Sequence, residues 1–137
     1  MNAQREQFLR ELGYTDKAIA YILEEKNIGE LENPSITARH QGRCGDIMVL
    51  QLAIDRSSGV IRDARFRMTG CAGLQAAGSA VTDMIRGMHI DDASKIEDRD
   101  IIDFLGGSFP DFKLDCVELA RDTLRKTIEE YNRQVSS

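Results

Sequence analysis

Tryptophan is absent from this chain, and prolines and histidines number two each among its 137 residues. The missing tryptophan and the scarce proline decide nothing about the fold. The other shortages decide more. No C-x-x-C pair occurs, which excludes the usual zinc-ribbon and thioredoxin patterns. No basic cluster occurs either: 18 basic against 23 acidic residues leave a net charge of −5, so nucleic acid is not an expected partner. The longest apolar stretch, Ala18 to Leu23, is far short of a membrane span, and no membrane association is expected. A signal peptide's hydrophobic region is likewise missing. An odd number of cysteines without an export signal predicts free thiols in a reducing, cytoplasmic setting.

What is present is ordinary for a folded domain, with 42% hydrophobic and 30% charged residues. A chain of this length buries a real core as one compact domain. Residues 1–32 read as a helical N-terminal segment ahead of a domain over 33–137. Phe8, Leu9 and Leu12 form an apolar stripe that ends at Gly13. Thr15 then suits the N-cap of a second helix, with Ala18, Ile19, Ile22 and Leu23 inward and Gly29 as its stop. Alternation predicts two antiparallel strands, Ile47 to Ile54 and Val60 to Met68, joined through Asp55-Arg56-Ser57-Ser58-Gly59. Leu74, Ala77, Gly78, Val81 and Ile85 recur at helix spacing, with Gly87 near the end. Short helices are expected at Ala93 to Ile96 and Asp100 to Leu105. The clearest helix carries Cys116, Leu119, Ala120, Thr123, Leu124, Thr127, Ile128 and Tyr131. The fold class is α+β: a small antiparallel β-sheet packed against helices, with an extra helical N-terminal segment.

Each cysteine falls where one element gives way to another: Arg43-Cys44-Gly45-Asp46, Gly70-Cys71-Ala72-Gly73 and Leu114-Asp115-Cys116. Cys44 and Asp46, two apart at a strand start, are predicted to share a face. Gly45 between them lets the backbone approach a bulky ligand. Cys71 precedes a helix and Cys116 opens one, where exposed amides favour a thiolate. Free cysteines are commonly small buried hydrophobes. Three at element boundaries, beside glycines and Asp46, weigh against that bland reading. Three thiolates and a carboxylate make a four-donor set for a thiophilic metal or an iron–sulfur cluster. His40, four residues before Cys44, is a candidate further ligand reaching in from a loop, and otherwise an exposed histidine. His89 reads as solvent-facing at a helix end.

From about Asn33 to Tyr131 the chain resembles the IscU/NifU-type iron–sulfur cluster assembly scaffolds, the NifU-like N-terminal domain family of SufE/NifU fold. The similarity rests on Cys44-Gly45-Asp46 followed by Met48 and Leu50, on Ile61-Arg62-Asp63-Ala64-Arg65-Phe66, and on Gly70-Cys71. It continues through Val81-Thr82 and Gly87 into Cys116 with Leu119-Ala120. The resemblance implies a scaffold rather than an enzyme. Such a protein accepts sulfur from a cysteine desulfurase, assembles a transient [2Fe-2S] cluster and delivers it to apo iron–sulfur proteins. It implies Cys44, Cys71 and Cys116 as cluster ligands, and Asp46 as the acidic residue that tunes cluster lability. Zn²⁺ suits the same donors in the isolated protein, and a second copy of the chain is a candidate partner.

Three departures from the family pattern stand out. Asp115 occupies the place of a histidine before the third cysteine; it reads either as an oxygen ligand or as a helix cap with Glu118. The stretch from Pro34 to Cys44 is short, so an edge strand or a partner-contact loop is expected to be missing, with the N-terminal helices covering the exposed edge. Phe109-Pro110-Asp111-Phe112-Lys113 shares only a proline and the lysine with the segment a dedicated Hsp70-type chaperone recognises, so that chaperone is not an expected partner. Three other readings stay open. A zinc-bound sulfur acceptor relaying persulfide is disfavoured by the short run 72–115. A degenerate zinc-binding interaction module is allowed, and a thiol enzyme with Cys71 as nucleophile lacks a placed histidine base.

Overall fold

The computed structural model describes residues 2–136. Helices α1 (Asn2–Glu11) and α2 (Asp16–Glu24) precede strands β1 (Ile36–Gln41), β2 (Ile47–Ile54) and β3 (Ile61–Thr69). Helices α3 (Ala72–Ile85), α4 (Ile90–Ala93), α5 (Asp98–Phe104) and α6 (Leu114–Ser136) follow, the last running on from a 3-10 turn at Asp111–Lys113. The strands form one antiparallel sheet in the order β1-β2-β3. Helices α3 and α6 pack together on one face of it. Alternation in β2 holds except at Gln51: Met48, Leu50, Leu52 and Ile54 are buried, Ile47, Val49 and Ala53 stay partly exposed, and Gln51 is buried on their face, accepting the Leu31 N–H. Ala64 and Phe66 of β3 join that core with Leu74, Ala77, Val81, Leu119, Leu124 and Ile128. Among the described residues no helix is long and apolar enough to cross a membrane.

Several expectations need correction. The sheet has three strands, not two, and the edge strand expected to be missing is β1. Ile36-Thr37-Ala38-Arg39-His40-Gln41 carries only two apolar residues because an edge strand needs one thin apolar face and backbone pairing, here with β2 from Ile36–Leu52 to Gln41–Ile47. Helix α2 stops well before Gly29. Thr15 caps its start, its hydroxyl accepting the Ala18 N–H, and Glu25 ends it in the left-handed region at φ 50°. Residues 27–29 then lie along β3: Gly29 N–H donates to Phe66 O at 3.0 Å and Phe66 N–H to Asn27 O at 3.1 Å. The N-terminal segment thus covers the β3 edge, and β1 is the edge it leaves uncovered. Phe8, expected in an inward stripe, is 59% exposed, whereas Leu9 is buried. The first short helix begins at Ile90 rather than Ala93, because His89 caps it by accepting the Asp91 N–H on Nδ1.

Two contacts fix how α3 carries Cys71. A Cβ at Gly78 would lie 2.5 Å from the Phe66 ring, so only glycine lets the helix come this close to the sheet. At the far end of α3, Arg86 bonds Asp63, Asp83, the Asn27 side chain and Ala64 O at 2.8–3.1 Å. That half-buried network ties the N-terminal segment, β3 and α3 into one body.

Candidate metal centre

The first cysteine lies in the β1–β2 turn, not on a strand. Gly42 N–H donates to Asp46 O at 2.9 Å, Gly45 N–H to Gly42 O at 3.0 Å, and Gly45 adopts φ 91°. Strand alternation therefore does not govern the pair, and the predicted shared face is not what forms. Cys44 is exposed at the tip, while the half-buried Asp46 turns inward. Gly42 at the base of the turn rests on Leu119 of α6, whose methyls would lie 3.2–3.3 Å from a Cβ there.

Asp46, Cys71 and Cys116 come together, each offering a donor atom within 4.8 Å of the others. The Cys71 and Cys116 sulfurs are 3.5 Å apart. Two thiolates on one tetrahedral ion with bonds of about 2.3 Å stand about 3.8 Å apart, so these sulfurs already sit near ligating separation. Two glycines make the room. A Cβ at Gly70 would lie 2.6 Å from Asp46 Oδ2, and one at Gly73 would lie 3.1 Å from the Tyr14 hydroxyl and 3.2 Å from Cys116 Sγ.

The two central thiols ionise unequally. Cys71 is pulled down to about 5, first by the hydrogen bond from the Cys116 thiol, and then, against burial, by the Leu74 and Gly73 amides and the Lys113 ammonium. Cys71 stands at the N-cap of α3, which is why those amides face it. Cys116 shifts the other way, contrary to the field expected at a helix start. It is the thiol that donates to Cys71, it is buried, and the neighbouring thiolate repels a second negative charge. Lys113 is held protonated by Cys71. The Tyr14 hydroxyl, raised by burial and then by the charge of the Cys71 thiolate, stays neutral. The centre thus combines one thiolate, one thiol, a carboxylate and an ammonium.

Asp115 is the second residue of α6, past the N-cap position, because the 3-10 turn leads straight into the helix. Its carboxylate is 59% exposed and faces Arg43 at 3.4 Å; Arg43 also meets Glu118 at 2.9 Å. Neither the capping role nor a place in the three-donor group is what the geometry gives it, and it helps tie the hairpin to α6. His40 lies within β1 opposite Met48, not on a loop, and outside that group. Cys44 also lies outside it, near enough for its charge to push Cys116 further up. Lys113 and Tyr14 carried no site role in the sequence reading. Lys113 stands three residues before Cys116, which was a usable signal, whereas nothing local marks Tyr14.

The NifU-like N terminal domain family matches residues 13–137. The chain belongs to that family. Among its relatives is the mitochondrial "iron sulfur cluster assembly protein 1" of Candida glabrata, 34% identical over 128 residues, which cover 90% of this chain and 59% of that protein. The nitrogen fixation protein NifU of Trichormus azollae is 34% identical over 125 residues, covering 86% of this chain and 41% of that protein. The chain thus spans less than two thirds of the length of these two relatives. A crystal structure of the N-terminal part of a NifU-like protein from Brucella abortus shares the fold, with a TM-score of 0.67 over 88% of this chain and 94% of that one, at 18% identity.

Proposed function

We propose that this NifU-like domain is a scaffold on which a transient [2Fe-2S] cluster is assembled and from which it passes to apo iron–sulfur proteins. The observation that carries the reading is the convergence of Asp46, Cys71 and Cys116, with Cys44 on the adjoining hairpin. Soft sulfur donors suit the cluster's iron, and the harder carboxylate suits a position meant to exchange. Cys71, already a thiolate beside Lys113, is the donor ready to engage first. The sulfur comes, on this reading, from a cysteine desulfurase, and the domain acts as a carrier rather than an enzyme. A reducing compartment suits three free thiols. The cytoplasm is the proposed setting, alongside relatives named as mitochondrial.

One observation favours a second reading. Sulfurs 3.5 Å apart with a carboxylate beside them also suit a single tetrahedral Zn²⁺. Anaerobic purification, metal and sulfide analysis, and reconstitution with ferrous iron and sulfide separate the two. Visible charge-transfer bands with iron and sulfide in equal amounts are expected of the scaffold. A colourless protein that takes zinc and refuses the cluster overturns it in favour of the zinc relay or module.

A further inference from the structure

Two of the three cysteines are placed to react with each other. The Cys71 and Cys116 sulfurs, 45 residues apart in the chain, stand 3.5 Å from one another. A disulfide needs them at about 2.0 Å, so the gap to close is about 1.5 Å, a distance that rotations of the two side chains share. Access to the three thiols differs. Cys44 is exposed, Cys71 is half-buried and Cys116 is 3% exposed. Exposure alone marks Cys44 as the thiol an oxidant meets first. Cys44 nevertheless lies outside the group whose donor atoms are within 4.8 Å of one another, whereas Cys71 has Cys116 directly behind it.

We infer that in the metal-free chain Cys71 and Cys116 form a reversible redox latch, which a small-molecule disulfide closes into an internal bond without the exposed Cys44. Cys71, the more accessible of the pair, attacks the oxidant, displaces one half as a thiolate and becomes a mixed disulfide. Cys116 then attacks the Cys71 sulfur; the Cys71–Cys116 bond forms, and the proton of Cys116 goes to the second departing half. The protein loses two electrons, and the oxidant gains them as two small thiols. A bridged pair has no thiolate to offer a metal, so loading waits for reduction, and both sulfurs are kept from irreversible oxidation. The consequence for loading rests on the reading of this centre as a cargo site; the bond itself does not.

The test uses the full chain, freed of metal by chelation under argon, with oxidised glutathione as the probe. Peptide mapping without reductant is expected to find Cys71 joined to Cys116 and glutathione on Cys44 alone, and dithiothreitol should restore three thiols. Cys116→Ser should leave at least about ten times more glutathione on Cys71 than the unaltered chain retains there. Cys116 is buried, so Cys44→Ser, at an exposed position, supplies the second variant and should close the same bond at an unchanged rate. The bridged chain should take up Zn²⁺ about tenfold less than the reduced one. Cys44 joined to either central cysteine, a bond between two chains, glutathione kept on Cys71 of the unaltered chain, or equal Zn²⁺ uptake overturns the inference. Cluster reconstitution of the reduced chain is read separately: its failure beside an intact Cys71–Cys116 bond removes the scaffold reading and leaves the bond standing.

Discussion

Gly70 is where the placing of the Asp46 carboxylate is separable from its chemistry. An alanine Cβ there would stand 2.6 Å from Asp46 Oδ2 and 2.8 Å from Cγ, and ordinary contact begins near 3.4 Å. The backbone accepts alanine, since Gly70 is not in the left-handed region, so the aspartate must yield. One rotamer step about its first side-chain torsion moves the carboxyl carbon by about 2.5 Å, which takes the oxygen away from the two sulfurs. Losing glycine's freedom in the unfolded chain stabilises by about 0.4–1 kcal/mol, and an off-rotamer aspartate costs about 0.5–1.5 kcal/mol. The melting temperature of Gly70→Ala is therefore expected within a few degrees of the unaltered chain. Cluster loss should change much more clearly. If the carboxylate is the exchangeable donor, Asp46→Ala lengthens cluster lifetime, and Gly70→Ala must do the same with Asp46 still present. A change of about 1 kcal/mol in the barrier to loss is a factor of about five in rate. The assay is the decay of visible absorption after anaerobic reconstitution, recorded for both variants under one chelator concentration. A Gly70→Ala cluster that decays at the original rate while the Asp46→Ala cluster persists would falsify the placement of the carboxylate. A fall of many degrees in melting would refute the claim that the strain is local.

Three further outcomes follow from the same geometry. Cys71 is ionised above about pH 5, so its alkylation by iodoacetamide, followed by mass spectrometry, should be nearly flat from pH 6 to 8 and drop below about pH 5; Lys113→Met removes a stabilising cation and should move that drop to higher pH, and an unmoved drop counts against the Lys113 contact. Asp115→His should leave the cluster spectrum unchanged and alter stability by less than about 1 kcal/mol, because it ends only an exposed ion pair; a shifted absorption band would restore Asp115 as a ligand. Arg86→Met should cost about 2–3 kcal/mol, read by urea unfolding, through four lost bonds. Burial opposes ionisation of Asp63 and Asp83, but Arg86 and the other bonds outweigh it and hold both below the usual carboxylate range. Their contribution is therefore full above about pH 4 and lost as pH falls through the lowered folded values. Acid should accordingly destabilise the unaltered chain more than Arg86→Met, and equal acid sensitivity refutes the linkage.

Helical periodicity was legible because it records burial directly: Leu74, Ala77, Val81 and Ile85 in α3, and Leu119, Leu124 and Ile128 in α6, are buried as their spacing requires. Strand β1 was not legible, since two apolar residues over Ile36–Gln41 resemble any polar loop until β2 lies beside them. Gly29 misled as a helix stop because Glu25 took the left-handed conformation that glycine usually supplies. In the metal centre, residue types at element boundaries named Asp46, Cys71 and Cys116. They did not reveal that Gly45 turns the chain between Cys44 and Asp46, nor that the two central thiols would share one proton. Tyr14 reaches the centre from the far end of the sequence, where only the packed fold brings it near.

Gly42, at the root of the Cys44 hairpin, leans on Leu119, and the tip is strapped to the first turn of α6 through Arg43. Cys116 rides on that same turn. The hairpin that bears Cys44 and the turn that bears Cys116 are in this sense held to one another, so the position of one constrains the other. Cys71 belongs to the other half of the mechanism, anchored through α3 to the sheet by the close meeting of Gly78 and Phe66. A substitution at Leu119 or Arg43 therefore acts on Cys44 and Cys116 together, while Cys71 keeps the place that the sheet gives it.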